Sequence, residues 1–296
     1  MRPIKQHGSR CALRMAMLLT LGFAALTHLA GPAHTQSADG PYGSRLGQQY
    51  SDLQAAWVAL GRLRDDRYPG DAPVDAGTLS RNFTEIALGR EYNGANGGWL
   101  VRWRDPIRMH VVFGPSVPIA DQTADRAMIG RYASRLSSIT GHDIRLTRER
   151  VNFLVLVVAE PELRGLRGFL RQHVPELSTR AVNIITRMPQ AHLCMVITLP
   201  HAARDQGIAR AVAIVRAEHP ALMRRSCVEE ELAQGMGLPN DHRGARPSIF
   251  NDDEEFGVLT GHDELLLRML YDPRLAPGMT LHQISPLLPQ IIGDHL

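Results

Sequence analysis

Lysine is almost missing from this chain. Lys5 is the only one, and it falls among the first residues. Past that point no Schiff-base lysine, no Ser–Lys pair and no lysine-bearing phosphate loop can operate. No G-x-S-x-G segment occurs either, which removes the nucleophile-elbow hydrolases. Acidic residues are missing before Asp39, while Arg2, Lys5, Arg10 and Arg14 are present there. With those four set aside, the 33 basic and 30 acidic residues become 29 against 30. The remainder carries no basic excess of the kind that grips nucleic acid, so no nucleic-acid partner is expected.

An ordered leader stands at the start instead. The basic stretch is followed by an apolar run from Met15 to Leu29, then by small residues at Ala33 and Ala38. Basic, apolar, small is the order of a secretory signal peptide. Residues 1–38 are therefore read as a signal, cleaved after Ala33 or Ala38, and the protein as exported to the periplasm or beyond. Thr20, Thr27 and His28 interrupt the run, and it falls short of a comfortable bilayer span. No stable membrane span is expected once the signal is removed, with an uncleaved anchor as the alternative. Cys11 precedes the run, where a lipid-bearing cysteine would not lie. Cys194 and Cys227 remain, and two thiols in an oxidising compartment predict a disulfide. Two separate buried thiols are the other reading.

Beyond the leader, Leu46, Tyr50, Leu53, Trp57 and Leu60 recur at helical spacing, which predicts a peripheral helix. Arg64 to Ala76 is rich in Pro, Gly and Asp and reads as a linker, so that residues 39–76 form a helix and linker and 77–296 the main domain. That domain reads as α/β. Ile107–Phe113, Ile144–Thr147, Asn152–Ala159, Cys194–Leu199 and Ala209–Arg216 are the strands, Ala120–Ser138 a helix, and the apolar FLVLVVA segment a central strand. Arg164 to His173 reads as a helix with a solvated arginine face. Pro220 suits the first turn of a further helix, apolar around most of its circumference, that stops near Gly237. Glu229, Glu230 and Glu231 lie within it; a run of glutamates is ordinarily a solvated edge.

The segment Glu230-Glu231-Leu232-Ala233-Gln234-Gly235-Met236-Gly237-Leu238-Pro239-Asn240 resembles the active-site helix and turn of metzincin-type zinc peptidases, H-E-x-x-H-x-x-G-x-x-H. The resemblance puts Glu231 on the general base and Gly237 on the turning glycine. Glu230, Gln234 and Asn240 fall on the three metal-ligand positions. Leu259-Thr260-Gly261-His262-Asp263, followed by Leu270-Tyr271, resembles the closing helix of matrixin-like peptidases, and Pro247-Ser248-Ile249-Phe250 stands where their Met-turn would be. The chain is also similar to a family of exported bacterial proteins of unknown function built around E-E-L-x-Q-x-x-G-L-x-N-D and S-I-F-N-D. Over roughly residues 100–272 the resemblance implies a zincin-like mixed sheet with a central active-site helix and a C-terminal helix.

All three histidines of the motif are replaced. Zinc sites are built from imidazole, thiolate or carboxylate, and side-chain amides are poor donors. An all-oxygen set suits a harder ion such as calcium. The expectation is an exported zincin-like domain without zinc catalysis or an obligatory cofactor, acting on an envelope protein or peptide by binding, with Glu230, Glu231 and Gln234 joined in a buried network. The alternative is a metal-dependent peptidase, on zinc or calcium, with Glu231 as base and non-histidine ligands. His242 and His262 are candidate replacement ligands or ordinary histidines. Asn251–Glu255 is a calcium candidate or a solvated acidic loop.

Overall fold

The computed structural model describes residues 40–89 and 98–296. The signal-peptide reading, with cleavage after Ala33 or Ala38, lies outside the described residues. Among them, no helix is long and apolar enough to cross a membrane.

The fold is α/β. Five strands, β1 (Ile107–Phe113), β2 (Ile144–Leu146), β3 (Phe153–Val158), β4 (Cys194–Pro200) and β5 (Ile208–Arg216), form one sheet in the order β2-β1-β3-β5-β4. The first four in that order run parallel, and β4 lies antiparallel to β5 at the edge. β3 is buried along its whole length. Its Phe153, Val155 and Val157 enter one core cluster, and Leu154, Leu156 and Val158 enter another. Alternate side chains point to opposite faces, so an unbroken apolar run is what a strand covered on both sides requires.

Ten helices are described: α1 (Arg45–Ala59), α2 (Ala76–Leu88), α3 (Ile119–Thr140), α4 (Glu160–Leu163), α5 (Leu166–His173), α6 (Thr179–Thr186), α7 (Ala221–Gln234), α8 (Gly261–Leu270), α9 (Leu281–Ile284) and α10 (Leu288–His295). The larger cluster joins the sheet to α2, α3, α7, α8 and α10, and the smaller one seats α5 and α6 on the opposite face.

The stripe predicted on α1 is only partly buried. Tyr50 is inside and its hydroxyl donates to Gln190 O at 2.8 Å, whereas Leu53 and Leu60 stay exposed. The segment read as a linker is strapped to the body by charge. Arg64 pairs with Asp71 at 2.9 Å and Glu255 at 3.0 Å, and Arg67 with Glu229 at 3.2 Å.

α7 starts after Pro220 and buries Met223, Cys227, Val228, Leu232 and Ala233. It ends at Gln234, three residues before the expected stop, because the chain turns through two glycines. Trp103 Nε1 donates to Gly235 O at 2.8 Å, and a Cβ on Gly235 would lie 2.6 Å from the Phe153 ring. Gly237 has φ +121°, and a Cβ there would meet Val101 O at 2.2 Å. Only glycine fits that approach. The end of α7 is thereby pressed onto the sheet. Arg224, near its start, is buried and pairs with Asp125 of α3 at 2.6 Å. Such a pair holds the helix against sliding, since a lone buried guanidinium would be costly.

A cleft between the edge strand and helix α7

The three consecutive glutamates part company. Successive helical positions differ by about 100°, so neighbours face different surroundings. Glu229 points into the body. Its carboxylate accepts from Arg225 Nε at 2.9 Å, Arg67 Nη2 at 3.2 Å and Leu259 N at 2.9 Å, and Arg135 approaches within 3.5 Å. Glu230 and Glu231 instead line a cleft of about 560 Å³ bounded by α7 and β4. Among the described residues no arginine pairs with either of them. Glu231 is only 4% exposed, and among the described residues its Oε2 has no hydrogen-bond partner.

Desolvation dominates the protonation of this pair. Burial pushes both carboxyls well above the ordinary glutamate range, with Glu231 and then Asp241 adding for Glu230, and Asp241 for Glu231. Glu254, on the same cleft, is pushed up to about 7 by burial and by Asp252 and Asp253. Its backbone is left-handed at φ 59°, and its carbonyl accepts from Leu63 N at 2.8 Å. Apart from His192, the ionisable residues facing the cavity are all acidic: Glu230, Glu231, Asp241 and Glu254.

The other wall is β4. Its residues from Cys194 to Thr198 line the cleft, and among the described residues its outer edge carries no further strand. The disulfide Cys194–Cys227, with Cα atoms 5.8 Å apart, joins the first residue of β4 to the middle of α7. The predicted bridge therefore ties the two walls together.

Of the three ligand positions, two meet at the cleft. Glu230 and Gln234 both line it, but the Gln234 amide donates to Asp241 Oδ1 at 2.9 Å. It does not join a network with Glu230 and Glu231, as the sequence had suggested. Asn240 turns away. Its amide donates to Ile86 O at 3.0 Å and Gly89 O at 3.1 Å, satisfying carbonyls that the end of α2 leaves open. His262 is fully buried, with Nε2 3.0 Å from the Asn82 amide and Nδ1 3.1 Å from Asp263 Oδ1. With the Asn82 amide nitrogen donating to Nε2, Nδ1–H is the donor to Asp263. His242 is half-buried and does not line the cleft. Among the described residues no three His, Cys, Asp or Glu side chains come together as a metal cluster. A carboxylate, an amide bound to Asp241 and an amide capping a distant helix do not fit a zinc ion.

The segment in the Met-turn place is held by Asp263. Its carboxylate accepts from Ser248 Oγ at 2.6 Å, Ile249 N at 2.9 Å and Thr260 N at 2.9 Å. Thr260 and Asp263 form the capping box expected at the start of α8. In the acidic loop, Glu255 is committed to Arg64 and to Arg246, the latter at 2.7 Å, while Asp252 and Asp253 are exposed. Asp241 and the β4 wall were missed from sequence as parts of the site, and Glu254 was read only as a member of the acidic loop. Asp241 directly follows the motif, but only the fold brings Glu254 and β4 to it.

A family model described as "Protein of unknown function (DUF2927)" matches residues 76–290, and the chain belongs to that family. Neither the curated proteins nor the solved structures contain a match.

Proposed function

We propose that this DUF2927 member is an exported, zincin-like binding domain that takes an extended peptide along β4, with a basic side chain of the peptide reaching Glu230 and Glu231. One observation carries the reading: an apolar edge strand that carries no further strand among the described residues, and the carboxyls of half-buried Glu230 and buried Glu231, line one cleft. A free edge offers backbone donors and acceptors to an added strand, which supplies affinity without chemistry. Specificity then comes from the acidic floor. A guanidinium or ammonium entering the cleft favours the ionised carboxylates, so binding releases protons and strengthens as pH rises. The zincin-like part rests on the motif register and on the order of strands and helices. Absence of zinc catalysis rests on the donor set, in which two of three positions are amides and one of those is turned to α2.

Fluorescence polarisation with a labelled Val-Arg-Val-Arg-Val peptide and its glutamate counterpart tests this. The basic peptide is expected to bind, and Glu230→Gln with Glu231→Gln to weaken it at least tenfold. Equal binding of the acidic peptide overturns the proposal. A second reading, a metal-dependent peptidase with Glu231 as base, draws on the unpartnered Glu231 Oε2 facing the cleft. It requires one equivalent of metal in protein purified without chelators and peptide cleavage that Glu231→Gln abolishes.

A further inference from the structure

On the opposite face of the sheet a second cavity, of about 740 Å³, opens between the α4–α5 segment and the turn after α6. We propose that it is a binding site for a phosphate ester. The inference does not depend on the peptide cleft.

Arg164, Arg167 and Arg187 line it, and among the described residues none of the three has a carboxylate partner. Arg167 is nonetheless oriented, because its Nη2 donates to Asn183 Oδ1 at 2.7 Å. Three of the nearby carboxylates are committed elsewhere, and Glu218, which accepts from Glu160 N at 2.6 Å, is buried and does not line the cavity. Glu160 pairs with the fully buried Arg216. Glu162 accepts from the backbone amides of Ala159 and Ser116, each at 2.8 Å, and Glu176 pairs with Arg210 at 3.2 Å. Even the rim's carbonyl oxygens are turned inward: Met188 O and Pro189 O accept from Arg216 Nη2 at 2.9 and 2.8 Å. Beside Glu160, which lines the cavity but is held by Arg216, and the polar Thr186 and Gln190, what faces the cavity is a set of planar guanidinium donors.

Three guanidiniums lining one concavity repel one another and focus a positive field, both of which a multiply charged anion relieves. Their fork geometry suits the oxygens of phosphate. The cavity exceeds what inorganic phosphate would fill and falls within the range of small-molecule sites, so the ester carries an organic part. It also lies at the carboxyl ends of parallel strands: Glu160 follows β3, and Arg216 ends β5. Open α/β sheets bind their ligands at that end. A free phosphate ester and a phospholipid headgroup share this chemistry.

Calorimetric titration with glycerol 3-phosphate and sedimentation with phosphatidylglycerol vesicles, both on the purified protein, test the proposal. Saturable binding of at least one probe is expected, weakened at least tenfold by Arg164→Ala with Arg187→Ala. These two side chains are exposed and form no ion pair among the described residues, so an unchanged melting temperature is expected in the same variant. Arg171→Ala with Arg180→Ala, on α5 and α6 outside the cavity, is expected to leave binding intact. Binding of glycerol 3-phosphate assigns a soluble ester, and binding of vesicles alone assigns a headgroup. No saturable binding of either probe, or an equal loss in both double variants, overturns the site.

Discussion

Glu229 and Glu231 lie two residues apart on α7, and the helix gives them opposite surroundings. Glu229 accepts from two arginines and a backbone amide and has a third arginine within 3.5 Å, while Glu231, equally buried, has an oxygen with no donor among the described residues. One carboxylate holds the body together, and the other is held by it. Neutral substitutions should therefore differ in sign. Glu229→Gln breaks a buried ionic cluster and should cost on the order of 3–5 kcal/mol. Glu231→Gln removes a desolvated acid and should raise the melting temperature at pH 8. Thermal unfolding of the two variants side by side decides it.

The same asymmetry sets a pH dependence. Glu230, Glu231 and Glu254 have folded-state pKa values above their unfolded ones, so the folded protein binds more protons. Their favourable contribution is complete below the unfolded value and is lost as pH rises through the folded one. For Glu254 the window runs from its ordinary value of 4.5 to about 7, with a slope of up to ~1.4 kcal/mol per pH unit. Urea titrations of the wild type between pH 4.5 and 8 should show falling stability. The Glu254→Gln variant should lose part of that slope.

Gly237→Ala should be severely destabilising, by more than ~2 kcal/mol, because the new methyl meets both a strained φ and the Val101 carbonyl. Gly141→Ala is the control, since its φ of +68° is also left-handed but nothing lies within 4 Å of its added carbon. A smaller loss at Gly141 separates the steric part from the backbone part in the same unfolding assay.

Asp263→Ala should cost at least ~2 kcal/mol, because the buried amides of Ile249 and Thr260 both lose their acceptor. Faster amide exchange at those two positions is the sharper reading.

Cys194→Ser with Cys227→Ser opens a loop of 33 residues and should cost about 3–4 kcal/mol on the chain-entropy model. Peptide affinity at β4 should fall with it, because the two walls of the cleft are no longer tied.

Where the sequence was legible, local periodicity carried the information. FLVLVVA could only be a strand covered on both faces, and Pro220 with the apolar positions after it marked α7. Thr260 and Asp263 announced the start of α8. α6 went unread although Ser178 accepts from Ala181 N as its cap, because eight residues give too little periodicity. Asn240 followed the motif in spacing but not in direction, since its partners are carbonyls of α2, some 150 residues earlier. Nothing local encodes that contact. The reversed direction of β4 was equally unreadable, because its pattern is the same whichever way it pairs. The charge state of the cleft followed from what the fold placed beside α7, which no run of glutamates discloses alone.

The Cys194–Cys227 bond closes a covalent ring whose circumference contains β4, the turn after it, β5 and the first half of α7. An ordinary edge strand is the part of a sheet that peels away first, and the part that two copies of a protein trade when they swap. Here the edge is stitched at its first residue to the helix packed behind it. A visiting strand can lie alongside β4 but cannot take its place, so the surface can accept guests repeatedly without exchanging a piece of itself for one of them.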